Sequence, residues 1–472
     1  MTTVSCPIGP QTRELSPESF AAASGTSSMR SICDLPPELI TLIFTLASDK
    51  PTLSACTLVS RLWQDLATPL LFASVTVRVE GQYELAEFMQ FIAEHPHHSA
   101  AIKTLTVVHD PELRASSYMC CNALLPVLEK LGALVQLSLQ KGIQFSTGAA
   151  DCGYSDTKRH KIGKLLLDFP AVYASEQLIA LNHFLSHLSI EHLDTIHLPI
   201  GDPEVTLFSR VVDVRHLWMR RPNYSPECHI RFFRYVLLSD TLHSLSMMCP
   251  GPSSIQQSAS LVRDAGRNIR SLSIGFSWIQ IFEPNQLGEF LPAPVKAPTQ
   301  YWIVCMDETV VDCLPREWLG VREVLAACHR METLDVFQVP RRVTRHTWQC
   351  QEQQGFTPSF NDTIPLFESL LVSLPHTVRE LTIGVRSCYG VVEFWDLKAI
   401  DSLLTRESLS YITSVTMSLP PLDIKERRVL EELVVNALPR LNASGLLHIT
   451  FDSRLRGQLT VRITFSVTRS YN

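Results

Sequence analysis

Residues 242–247 read LHSLSM, and residues 269–274 read IRSLSI. Each is an apolar residue, two polar residues, an apolar residue, a serine and a final apolar residue. Apolar positions two apart lie on one face of a strand, so the last three residues of each run describe a half-buried β-strand. The signature recurs outward in both directions. Toward the N-terminus it appears as Val214/Leu217/Met219, Leu193/Ile196/Leu198, Leu134/Leu137/Leu139 and Ile102/Leu105/Val107. Toward the C-terminus it appears as Met331/Leu334/Val336, Val378/Leu381/Ile383, Ile412/Val415/Met417 and Leu446/Ile449/Phe451. Weaker copies at Ile162/Leu165/Leu167 and near Ile303 fill the two widest gaps. Most copies then lie about thirty residues apart, the period of a solenoid.

Segments with helical periodicity run between the strands: Tyr83–Glu94, Asn122–Leu131, Glu176–Leu188, His229–Leu238, Val321–His329, Ile364–Leu374, Leu397–Thr405 and Lys425–Leu438. Strand then helix, repeated, predicts an α/β fold with a parallel sheet and helices along one side of it. The arrangement resembles a leucine-rich repeat fold in degenerate form, because the Asn or Cys that usually follows the strand is missing from most copies. A closed α/β barrel is the structural rival, but so many copies overfill an eightfold ring.

The residues flanking each central apolar position point away from the helices. Most are small and polar: Thr104/Thr106, Gln136/Ser138, Ser244/Ser246, Ser271/Ser273, Thr333/Asp335 and Ser414/Thr416 among them. Trp218 is the exception, with His197, His216 and Arg220 near it in the pattern. A Trp beside an Arg is the composition of a binding hot spot, so these four residues are the candidate substrate-binding set. The alternative is a Trp covered by a neighbouring loop. Three stretches interrupt the repeat: Lys141–Lys161, Phe282–Gln300 and Pro340–Asp362. Such insertions emerge as loops and sometimes carry function.

The N-terminal part is different in kind. Residues 34–77 read DLPPELITLIFTLASDKPTLSACTLVSRLWQDLATPLLFASVTV. Pro36 and Pro37 suit a helix start, since first-turn N–H groups have no intrahelical partner, and Glu38 complements the helix dipole. Leu39, Leu42, Ile43 and Leu46 form one apolar face, and Ile40, Phe44 and Ala47 a second stripe beside it. A three-turn helix needs only one such face for its own core, so the other implies a burial partner. Asp49, Lys50 and Pro51 break this helix, Thr52 is placed to cap a second, Ser60 to cap a third, and Pro69 to stop it. Three short helices with so much apolar surface are too small to be stable alone.

The order and spacing of Leu35-Pro36-x-Glu38-Leu39, Ile43-Phe44, Cys56-x-x-Val59-Ser60-Arg61-x-Trp63 and Pro69-x-Leu71-Phe72 resemble the F-box. The rival is a helical cap that only closes the solenoid. The resemblance implies binding to the Skp-type adaptor of a Skp–cullin–F-box ubiquitin ligase, and through it to a cullin. Carried over, the adaptor-binding residues are Leu35, Pro36, Leu39, Ile43, Val59 and Trp63, a set that sequence does not divide between contact surface and the module's own core. The chain is similar in this respect to the many F-box proteins of mushroom-forming fungi.

Composition bounds the rest. The chain has 472 residues, 45% hydrophobic and 19% charged, with a net charge of −6 and no long block of like charge. That is globular composition without a nucleic-acid or anionic-membrane surface. No apolar run reaches the roughly 18 residues that span a bilayer. The first thirty residues are polar and Ser/Thr-rich and read as a disordered tail rather than a signal peptide. Thirteen cysteines are scattered without a C-x-x-C, which points to a reducing compartment, cytoplasmic or nuclear. The sequons at Asn223, Asn361 and Asn442 then carry no meaning.

No phosphate loop, dinucleotide fingerprint, nucleophile elbow or H-E-x-x-H motif is present. The run His95-Pro-His97-His98 follows a helix end, where imidazoles serve as caps. His187, His192 and His197 are five apart and do not converge on a helix or a strand. Apolar neighbours of Cys56 and Cys328 favour inert burial over nucleophilic chemistry. The sequence therefore predicts no catalytic residue, no cofactor and no metal ligand. It predicts a tail over 1–30, an adaptor-binding module over 31–77 and a repeat solenoid over 78–472. The function expected is a non-catalytic receptor joining a substrate protein to a ubiquitin ligase, the alternative being an interaction scaffold without a ligase.

Overall fold

A computed structural model describes residues 35–47, 49–79, 83–109, 117–140, 143–146, 159–169, 175–198, 211–220, 226–238, 240–249, 252–276, 280–281, 303–304, 314–337, 368, 370–384, 387–388, 391–392, 397–419 and 424–451. The expected tail over 1–30, Asn223, Asn361 and nearly all of the three interruptions lie outside these residues. The chain divides into two compact units between Leu70 and Leu71.

The first unit holds helices α1 (Pro37–Ala47), α2 (Lys50–Cys56) and α3 (Arg61–Phe72), the last running past the boundary. Two local expectations are corrected. The cap of α2 is Asp49 rather than Thr52: its carboxylate accepts the Thr52 N–H at 2.8 Å, which lets Lys50 and Pro51 begin the helix. Hydrogen bonds from the Thr52 backbone and side chain hold the Asp49 carboxyl below its ordinary range. The α3 helix does not stop at Pro69 but carries it, continuing to Phe72. Proline removes one N–H, yet the ring projects from an exposed position, so the helix loses a bond without a buried clash. Ser60 caps α3 as expected, its hydroxyl accepting the Trp63 N–H at 3.2 Å.

The second unit is a mixed α/β structure around one twelve-stranded parallel sheet whose strands follow one another in chain order. They are β1 (Ser74–Val79), β2 (Thr104–His109), β3 (Gln136–Leu139), β4 (His160–Asp168), β5 (Leu188–His197) and β6 (Asp213–Met219). The order continues with β7 (Ser244–Cys249), β8 (Ser271–Phe276), β9 (Thr333–Phe337), β10 (Glu380–Gly384), β11 (Ser414–Leu419) and β12 (Leu447–Phe451). Among the described residues β1 and β12 do not pair with each other, so the sheet is open and the barrel rival falls.

Register explains why these residues were spaced as they are. Val75, Leu105, Leu137, Leu165, Leu193, Leu217, Leu245, Leu272, Leu334, Leu381, Val415 and Leu447 form a single row across the sheet. From Leu105 to Val415 every member is buried. A second row runs parallel to it, from Val77 and Val107 through Met219, Met247 and Ile274 to Ile449. Each buried Leu contributes about 1.5–3 kcal/mol through removal from water, and identical spacing in each copy lets the rows stack without gaps.

Four features of the repeat are corrected. The last strand is framed on Leu447 and Ile449 rather than on Leu446/Ile449/Phe451, because Leu447 pairs with Val415 and Ile449 with Met417. The fifth strand is framed on Ile190/Leu193/Thr195, because Leu193 pairs with Leu217 and Thr195 with Met219. Thr195 therefore faces the core, where it is buried, and not the open face. The copy near Ile303 is outside the sheet, pairing antiparallel with Gln280–Ile281. A copy was missed at the start: Val75, Val77 and Val79 alternate inward on β1, which pairs with β2, so residues 74–77 form part of a strand of the sheet. One helix also escaped the pattern. Pro252–Ala265 buries Ile255, Ala259, Leu261, Val262 and Ala265 together with Ser258, and its small and polar inward residues mute the apolar period.

Candidate functional site

The helical unit sorts its apolar residues into two sets. On α1, Ile40 and Phe44 are buried, and the half-buried Trp63 of α3 meets Phe44 edge-on with ring centroids 5.1 Å apart. Leu53 and Ala67 complete that interior. The other stripe of α1 is uncovered: Leu39, Leu42, Ile43 and Leu46 are between 42% and 75% exposed. Leu58, Val59 and Leu62 extend the uncovered apolar surface onto the α2–α3 junction. Among the residues expected to bind an adaptor, Pro36, Leu39, Ile43 and Val59 are exposed and Leu35 is half-buried, whereas Trp63 packs inward.

On the sheet, the row facing away from the core reads Thr76, Thr106, Ser138, Leu166, Asp194, Trp218, Ser246, Ser273, Asp335, Thr382 and Thr416. Trp218 stands in this row as expected, half-buried, with the Arg220 guanidinium 3.9 Å from its ring centre. Arg220 also reaches Asp194 on the neighbouring strand, Nη2 to Oδ2 at 2.6 Å. Asp194 is buried; burial pushes its carboxyl above the usual carboxylate range, and Arg220 and Lys164 oppose that shift.

The other two members of the expected set are engaged elsewhere. His216 Nε2 lies 3.5 Å from Glu191 Oε1, and its ring stacks on His192. Burial and the neighbouring His192 lower its pKa against the pull of Glu191. His197 Nδ1 pairs with Asp168 Oδ1 at 2.8 Å. The four residues thus join three polar groups instead of one cluster. Sequence reasoning missed Glu191, His192 and Asp194 because the fifth copy was read three residues late: Thr195 at an apolar position disguised the true frame.

Outside these surfaces, His95 has a capping role, its Nδ1 lying 3.1 Å from the Phe91 carbonyl at the end of Tyr83–Glu94. Burial pushes the Cys328 thiol up to about 12, which keeps it protonated near neutrality. No described helix is long and apolar enough to cross a membrane.

Residues 32–78 match the F-box-like family, which places an F-box-like domain over α1–α3 and the first strand. No curated protein matches the chain.

Proposed function

We propose that the chain is the substrate-recognition subunit of a Skp–cullin–F-box type ubiquitin ligase, itself without catalytic activity and working in the cytoplasm or nucleus. F-box domains bind Skp-type adaptors. The observation that carries the reading is a coincidence: the F-box-like match falls on the helices that leave Leu39, Leu42, Ile43, Leu46 and Val59 uncovered. Apolar residues exposed in this density on one small unit fit a surface completed by another protein.

The second unit supplies the receptor. Its sequential parallel strands with an L-x-x-L-x-L signature support a degenerate leucine-rich-repeat solenoid of the kind carried by fungal F-box proteins. A substrate protein docks on the sheet face around Trp218 and Arg220, where the row otherwise consists mainly of small side chains. The test is affinity purification of the full chain from native cells. The expected result is recovery of a Skp-type adaptor and a cullin in stable proportion. Recovery of other partners without adaptor or cullin would assign the chain to non-ligase scaffolds.

A further inference from the structure

Two outward residues separate the first two apolar anchors of each repeat copy. In the fifth strand they are Glu191 and His192, between Ile190 and Leu193; in the sixth they are Arg215 and His216, between Val214 and Leu217. All four anchors are buried, so the residues between them cannot alternate across the sheet and both stay outside the core. Parallel register then sets His192 directly beside His216, with near-parallel rings and centroids 4.4 Å apart. Glu191 turns one carboxylate oxygen to His216 at 3.5 Å and the other to Arg215 Nη1 at 3.2 Å. One donor atom from each of Glu191, His192 and His216 falls within 4.8 Å of the others.

We propose that Glu191, His192 and His216 form a binding site for a divalent transition-metal ion of the zinc class. Two imidazoles and a carboxylate suit zinc, cobalt, nickel or copper, whereas calcium and magnesium take oxygen ligands. Metal–ligand distances of about 2.0–2.2 Å in a tetrahedral site set donor atoms ~3.3 Å apart. The trio reaches that spacing by side-chain rotation alone, because all three groups are partly or fully exposed while the sheet fixes their backbones. Arg215 orients the carboxylate through its second oxygen, and being itself exposed it can swing into solvent as the ion's charge enters. Three protein ligands leave a coordination position open to water or to a group from a bound partner.

The test uses the purified full chain, freed of any polyhistidine tag and stripped with a chelator. It is titrated with Co(II), whose visible absorption reports nitrogen and oxygen ligation, and then with Zn(II) in competition. One equivalent per chain is expected, displaced by Zn(II). Glu191→Gln should weaken it ~10- to 100-fold, and His192→Gln with His216→Gln by at least ~100-fold. A His95→Gln/His97→Gln/His98→Gln variant should bind as the natural chain does. Circular dichroism checks that each variant is folded; should the double variant misfold, His192→Gln alone at its exposed position decides. A natural chain that binds no Co(II) at micromolar concentration, or binding undiminished by the His192 and His216 changes, overturns the assignment.

Discussion

Asp194 and Arg220 show how one misread frame hides a costly residue. The carboxylate is buried in a row otherwise filled largely by Ser and Thr, and Arg220 is the cation that compensates it. Removing Arg220 strands the charge. Because the guanidinium is partly exposed, the penalty is discounted from the fully buried case to about 1–3 kcal/mol. Arg220→Ala should therefore lower the denaturant midpoint, and adding Asp194→Asn should recover most of the loss; a double variant no better than the single one would mean that the pair is not coupled. The raised Asp194 pKa also sets a sign. The folded state holds this proton more tightly than the unfolded one, so the contribution of Asp194 to stability falls as pH rises above about 3.8. His229 acts in the opposite sense. It is buried, with Nε2 3.3 Å from the Leu198 carbonyl, and burial brings its pKa down to about 4. Its neutral form is the one that fits, so stability is complete above about pH 6.5 and drops by about 3 kcal/mol as pH falls toward 4. Urea titrations across that window should show a shallower pH dependence for His229→Leu than for the natural chain.

At the scale of elements, helix ends and helix faces carry the argument. Asp401, on the helix Leu397–Leu404, is buried and accepts two backbone N–H groups from the start of Pro439–Ala443, Arg440 at 3.2 Å and Leu441 at 2.9 Å. One carboxylate thus ties two helices from different strand intervals. Asp401→Ala leaves both donors without that acceptor and should cost about 1–3 kcal/mol, read as a lower melting temperature. The F-box-like helices divide differently. Ile43 and Val59 are exposed, so Ile43→Asp with Val59→Asp should leave the helical content intact while weakening adaptor binding by ~30-fold or more. Trp63→Ala should act through the fold: losing the edge-on contact with Phe44 removes about 3 kcal/mol of packing before any interface is considered. Calorimetric titration with adaptor, paired with circular dichroism, separates the two outcomes.

Across the whole molecule, the division between Leu70 and Leu71 predicts independence. Deleting Ser31–Leu71 leaves β1 with its pairing to β2 and should leave the α/β unit cooperatively folded while abolishing adaptor capture. Loss of the unit's cooperative thermal transition on that deletion would show that the two units fold as one.

The sequence by itself determined the periodic elements. Spacing of Leu245 and Met247, of Leu272 and Ile274, and of most of their counterparts fixed strand positions, because a half-buried strand imposes period two whatever surrounds it. Order and spacing over 34–77 were enough to identify the F-box-like segment, and the surplus apolar stripe on α1 was legible because a small helix needs only one. What the tertiary structure alone decided is register and partnership. Thr195 took an apolar place because the row of Leu165, Leu193 and Leu217 had to align across β4, β5 and β6, and no local pattern reveals that alignment. The pairings of Asp194 with Arg220, His216 with Glu191 and His192, and His197 with Asp168 link residues up to 29 positions apart. Such contacts depend on which strands become neighbours and in what stagger, so they exist only once the sheet has assembled.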